Sequence, residues 1–178
     1  MSSTSSNTRL PRHIDPRKFA HQGLDLQGDI AVSDLNRLAS LVLDNAGEVK
    51  VVLEFGVDEE RHRVITGEAQ CAVNVTCQRC LEPVEITLDA EINLAMVWDE
   101  ERAKQLPKTL DPLILPEGPA DIYTIIEDEL LLELPMVSYH DKDCIEQTSF
   151  GDEEVVTETK SSKNPFQVLE QLKCSPKS

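Results

Sequence analysis

A chain of 178 residues is long enough for one domain with tails, since about 100–150 residues already bury a core of their own. Its 17 Lys and Arg against 33 Asp and Glu leave a formal charge of −16, which repels a phosphate backbone at long range and disfavours RNA binding by the surface as a whole. Hydrophobic residues make up 40% and aromatics 4%, so the expected core is Leu, Val and Ile, and no apolar run reaches the roughly 18 residues that cross a bilayer.

The opening MSSTSSNTRLPRH has no apolar centre of a secretory signal, which predicts a cytoplasmic protein without a membrane partner. Residues 1–10 are Ser- and Thr-rich and read as a flexible, disordered leader. Five cysteines in such a chain point to free or metal-bound thiols rather than a disulfide framework. A domain over residues 11–146 is expected next. Its first part, HIDPRKFAHQGLDLQGDI, carries turn signals at Gly23 and Gly28 and predicts a short strand or edge segment. From Ser33, SDLNRLASLVLDNAG sets Leu35, Leu38, Ala39 and Val42 at helical spacing. This predicts an amphipathic helix with Ser33 as N-cap and Asn45 or Gly47 as its stop.

Alternating Val49, Val51, Leu53 and Phe55 predict a strand, and the charged Asp58 to Arg63 a hairpin turn. The next run keeps Ile65, Ala69, Cys71, Val73 and Val75 on odd numbers. After Cys77-Gln78-Arg79-Cys80 the parity changes to Val84, Ile86, Leu88, Ile92, Leu94 and Met96. Two half-buried antiparallel strands with CQRC at their junction follow from that change. Pro107, Pro112, Pro116 and Pro119 make residues 99–120 an irregular connection. From Asp121, DIYTIIEDELLLEL predicts a helix packed on two sides and ended by Pro135. An acidic flexible linker over 147–163 and a short C-terminal helix and tail over 164–178 complete the chain, with Asn164 as cap and Pro165 at the first turn. The expected fold class is α+β: a mostly antiparallel β-sheet packed against two helices, with the flexible N-terminus, the acidic linker and the short C-terminal helix outside it.

Two residues between Cys77 and Cys80 let both thiolates reach one ion from a turn. His140 and Cys144 in SYHDKDC are the candidate remaining ligands of a Cys3His zinc site, although an exposed histidine and a loop thiol would have the same sequence. Zinc is the one cofactor the sequence suggests. Strands rather than a helix flank the pair, which argues against a redox thiol, and the parity of Cys71 makes it a small core residue. Glu129 and Glu133 share a helix face, but no H-E-x-x-H, Ser-His-Asp order or phosphate-binding glycine loop completes a catalytic site. The chain is therefore read as no enzyme and as having no small-molecule substrate. A metal-dependent RNA-processing hydrolase and a zinc-stabilised regulatory protein are the competing readings. Arg61, Arg63 and Arg79 form a candidate local contact for RNA phosphates. Twelve acidic residues from Asp121 to Glu158 stand against Lys142, so a basic protein partner is the natural complement, with Glu127 and Asp128 as contacts. Phe166, Leu169 and Leu172, at intervals of three, dock on that partner or fold back on the domain.

Five segments occur in a fixed order: Asp15-Pro16, CQRCLEPV from Cys77 to Val84, IIEDELLLELP from Ile125 to Pro135, then His140 and Cys144, and a terminal NPFQVLEQLK. Together they resemble the YceD family of large ribosomal RNA subunit accumulation proteins. The resemblance spans nearly the whole chain outside the leader and the acidic linker. It implies a non-enzymatic factor of ribosome biogenesis that promotes processing or accumulation of the large-subunit (23S) ribosomal RNA. Within that process the acidic face points to a basic ribosomal protein or a large-subunit assembly intermediate as partner, and the arginines to a local contact with ribosomal RNA. Some similar proteins carry a richer cysteine cluster after the helix, resembling the second half of a metal site, where this chain has His140 and Cys144.

Overall fold

The computed structural model describes residues 9–145. The linker over 147–163 and the C-terminal segment with Phe166, Leu169 and Leu172 lie outside the described residues, as does most of the leader. Of the leader, Arg9 bridges to Asp29 and Leu10 is buried in the core.

Strand β1 (His13–Ile14) leads into helix α1 (Pro16–Gln22), where the sequence suggests only a strand or edge segment. The Asp15 side chain accepts from Lys18 N at 3.2 Å and Pro16 takes the first helical position. Gly23, at φ 62°, closes the helix: its N–H donates to Ala20 O, and Leu24 N donates to Phe19 O. Those are the two bonds of a left-handed glycine C-cap, so the turn signal at Gly23 marks a helix end. Gly28, by contrast, makes no turn and is buried within strand β2 (Asp25–Ala31).

The helix expected from Ser33 is shorter and begins later. Val32–Asp34 is a single 3₁₀ turn, and α2 covers Asn36–Leu41 with Leu35 at the cap position. The cap comes from elsewhere in the chain: Glu127 Oε1 accepts from Arg37 N at 2.7 Å and Leu38 N at 3.2 Å. These are the orphan donors a local Ser or Asp would satisfy. The helix stops at Val42, not at Asn45 or Gly47, because Leu43 N donates to Asn74 O at 2.7 Å and the chain is drawn onto the sheet.

Strands β3 (Glu48–Val57), β4 (Arg63–Thr76) and β5 (Pro83–Val97) follow. In the five-stranded sheet β2, β3, β4 and β5 are neighbours in that order and antiparallel, and a fifth strand joins at the β5 edge. Its last member corrects the reading of residues 99–120 as irregular. After the short helix α3 (Glu100–Ala103), β6 (Asp111–Ile114) pairs parallel with β5 at the edge. An edge strand accommodates Pro112, which has no N–H to donate. Strand β7 (Ala120–Asp121) then pairs with β1. The parity reading of β4 and β5 is met: Ile65, Ala69, Cys71, Val73, Val75, Leu88, Ile92, Leu94 and Met96 all enter the core. At Gly67 the strands approach so closely that a Cβ would lie 2.0 Å from Val52 O, a position only glycine fills.

Helix α4 (Ile122–Glu133) is capped by Asp121, whose side chain accepts from Tyr123 N at 3.0 Å. It buries Ile122, Ile126 and Leu130 completely, while Leu132 on its outer side is exposed. Helices α1 and α4 cover one sheet face, with the Phe19 and Phe55 rings edge to face at 5.4 Å. The other face carries the alternate side chains, among them Asp25, Glu54, Glu68, Asp89 and Glu91, which are exposed, while Ala95 at one end of it is buried and Asn93 bonds to Thr109 O.

Glu127 thus joins α4 to α2 through both carboxylate oxygens, the second bonded to Arg37 Nε at 2.8 Å. Replacing Glu127 by Ala is expected to cost about 2–3 kcal/mol in urea unfolding, through two uncapped N–H groups and an unpaired Arg37. Glu127→Gln, which keeps an acceptor, should lose less; equal losses would contradict the capping role.

Candidate metal centre

The turn between β4 and β5 is built by backbone bonds: Leu81 N to Cys77 O and Cys77 N to Glu82 O, both 2.9 Å. Leu81 adopts a left-handed φ of 65°. Beyond α4, Pro135 breaks the helix, and the chain lies on this turn through Gln78 N to Ser138 O at 2.9 Å and Gln78 Nε2 to Met136 O at 3.2 Å. The result brings together the four residues singled out from the sequence. The ligand atoms of Cys77, Cys80, His140 and Cys144 all lie within 4.8 Å of one another.

Two of the distances between these atoms match the edges of a tetrahedral zinc site. Zn–S bonds of about 2.3 Å and Zn–N bonds of about 2.05 Å place S···S edges near 3.8 Å and S···N edges near 3.6 Å. Cys77 Sγ and Cys144 Sγ are 3.8 Å apart, and Cys80 Sγ and His140 Nδ1 are 3.4 Å apart. The second ring nitrogen is fixed as well: His140 Nε2 donates to Pro83 O at 3.0 Å, which leaves the Nδ1 lone pair facing the sulfurs.

The electrostatics favour an anionic sulfur. Burial pushes the Cys77 thiol up, but backbone N–H groups of Cys80, Arg79 and His140 outweigh it and bring the thiol down to about 5. Cys144 is held above the ordinary thiol range, first by burial and then by the sulfurs of Cys80 and Cys77. Thiols that cannot all ionise together are suited to sharing a cation. Cys71, pushed up to about 11 by burial alone, stays a core thiol.

The remaining candidates divide. Arg79 belongs to the centre's surround: its guanidinium lies 5.2 Å from the Tyr139 ring centre and reaches Lys142 O at 3.4 Å and Asp143 at 3.5 Å. Arg61 and Arg63 sit at the other end of β4, on the order of 40 Å away at strand rise. The three arginines therefore form no single patch. Glu127 is only 6% exposed and serves the fold, and Asp128 pairs with Arg37 at 2.6 Å. Glu129 has its pKa raised, by burial first and then by Asp111, Asp128 and Glu133. Neither Glu129 nor Glu133 is among the residues whose ligand atoms cluster with the cysteines. The sequence reading missed the stacking of Arg17 on Trp98, whose partners are too distant in the chain to make a motif.

A family model described as "Large ribosomal RNA subunit accumulation protein YceD" matches residues 65–173, which include all four cluster residues. A protein of Haemophilus influenzae bearing the same description is 37% identical over 171 residues, 93% of this chain and 97% of its own. No solved structure matches the chain.

Cobalt(II) added to the reduced, metal-free chain is expected to give near-ultraviolet thiolate-to-metal absorption and the intense visible bands of a tetrahedral site. Cys80→Ser or Cys144→Ser should weaken them strongly. The pale spectrum of octahedral aqueous cobalt alone would show that the four atoms do not close on a metal.

Proposed function

The chain belongs to the YceD family of large ribosomal RNA subunit accumulation proteins, and from that premise we propose that it is a non-enzymatic factor promoting processing or accumulation of large-subunit ribosomal RNA. It acts by holding a basic ribosomal protein or an assembly intermediate. Its place of action is the cytoplasm; no described helix is long and apolar enough to cross a membrane.

The observation that carries this reading is the charge on the acidic sheet face. Glu68 stands directly opposite Glu91, and Asp25 opposite Glu54, with each pair pointing to the same exposed side. Like charges directly across a ladder destabilise a sheet. A protein that keeps them sacrifices stability for something else, and a cationic partner turns that repulsion into attraction. Such a partner would find its carboxylates here rather than at Glu127 and Asp128, which Arg37 already occupies.

Zinc held by Cys77, Cys80, His140 and Cys144 would tie the β4–β5 turn to the segment after α4. Four protein ligands leave no open position for an activated water, so the chemistry supplied is structural. That Glu129 is not among the clustered ligands supports the same conclusion.

Glu68→Lys is expected to stabilise the chain by about 0.2–1 kcal/mol while weakening its salt-sensitive co-sedimentation with large-subunit precursors. Association unchanged by Glu68→Lys and Glu91→Lys together would sink the proposed contact face. Precursor ribosomal RNA incubated with the chain and zinc should remain intact. Cleavage lost in Glu129→Gln would instead establish the hydrolase.

A further inference from the structure

At the end of the sheet opposite the cysteines is a cleft of about 450 Å³, lined by Arg17, Lys18 and His21 of α1, with Arg63, Trp98 and Glu117. In a chain carrying −16, this concentration of cations is out of keeping with its surroundings. Two of them are poorly compensated. Arg63 is exposed and has no ion-pair partner among the described residues. The Arg17 guanidinium lies over Trp98, its central carbon 3.0 Å from the ring centre, and Nη2 donates to Leu115 O at 2.7 Å and Val97 O at 3.3 Å. Its Nε and Nη1 are buried with no acceptor among the described residues, a condition native proteins seldom keep. Lys18, in contrast, is paired with Asp15 at 3.2 Å.

We propose that this cleft binds single-stranded RNA, with a phosphate beside Arg63 and Arg17 and a nucleobase against the free surface of Trp98. Trp98 is 41% exposed although Arg17 covers one side of its ring. An aromatic surface next to unpaired guanidinium groups is the combination that single-stranded nucleic acid uses, since every base has a face to stack and every linkage an anion to pair. Burial first, and then the charge of Arg63, disfavours the charged form of Arg17, against Glu117 and Asp15. An incoming phosphate relieves that repulsion. The acidic remainder of the surface rejects RNA elsewhere, so contact is confined to this end of the sheet. That the RNA is ribosomal rests on the function proposed above; the cleft's chemistry does not.

Trp98 is the single tryptophan of the chain and reports on the cleft directly. Titration of the full chain with an eight-nucleotide oligouridylate at low salt is expected to quench its fluorescence saturably, with affinity falling as salt rises. Arg63→Gln changes an exposed side chain and is expected to leave the circular dichroism spectrum unaltered, to weaken binding about tenfold and to reduce the salt slope by about one. Lys18→Gln should have a smaller effect. Fluorescence indifferent to the oligonucleotide, or equal affinity in Arg63→Gln, overturns the inference. Co-sedimentation with ribosomal precursors surviving either result would show that the cleft assignment failed while the family role stood. Oligouridylate binding without co-sedimentation would show the reverse.

Discussion

Antiparallel pairing of β4 with β5, unbroken from Val64 opposite Ala95 to Thr76 opposite Pro83, sets the position of every other feature. Strand side chains alternate, so slipping this ladder by one residue would send Ile65, Val73, Leu88 and Ile92 to solvent. The register is consequently held by the whole core at once. It also separates the two ends of the molecule by the full length of a long hairpin. The cysteine turn closes one end, and Arg63 and Trp98 come together at the other. Between them the outward-facing alternation presents carboxylates opposite carboxylates. Three surfaces of different chemistry are thus fixed by one hydrogen-bonded ladder.

Much of this ladder was legible because its signal is local and long. Odd-numbered apolar residues before CQRC and even-numbered ones after it state the two strands, their facing and their turn. The features the sequence concealed depend on partners far away in the chain. Helix α1 has seven residues, too few for a periodic stripe, and is marked only by its caps Asp15 and Gly23. Strand β6 lies within a proline-rich stretch and exists because β5 offers it an edge. The start of α2 could not be read from Ser33, because its capping oxygen belongs to Glu127, about ninety residues on. For the same reason a glutamate that reads as surface charge is buried as a structural acceptor.

The cysteine centre shows the same division. Cys77 and Cys80 declare a half-site by their spacing, and His140 with Cys144 declare another, but nothing in the sequence joins them. Joining is done by Gln78, whose backbone and side chain both bond to the segment after α4. The Pro83 carbonyl then selects the His140 tautomer. The arginines were misgrouped for a related reason: Arg63 and Arg79 are near in sequence, but an intervening extended strand is the longest separation so few residues can produce.

Tyr123 carries a consequence for the order in which the domain can be completed. Its hydroxyl donates to Leu10 O at 2.8 Å, and β1 pairs only with β7 just before it. The beginning of the chain therefore waits, during vectorial synthesis, for a helix translated more than a hundred residues later. Until that helix leaves the exit tunnel, the inner face of the nascent hairpin lacks Ile122, Ile126 and Leu130 as its lid. A polypeptide arranged in this way keeps an apolar sheet face partly uncovered until α4 is made, and then closes at both ends of the described domain together.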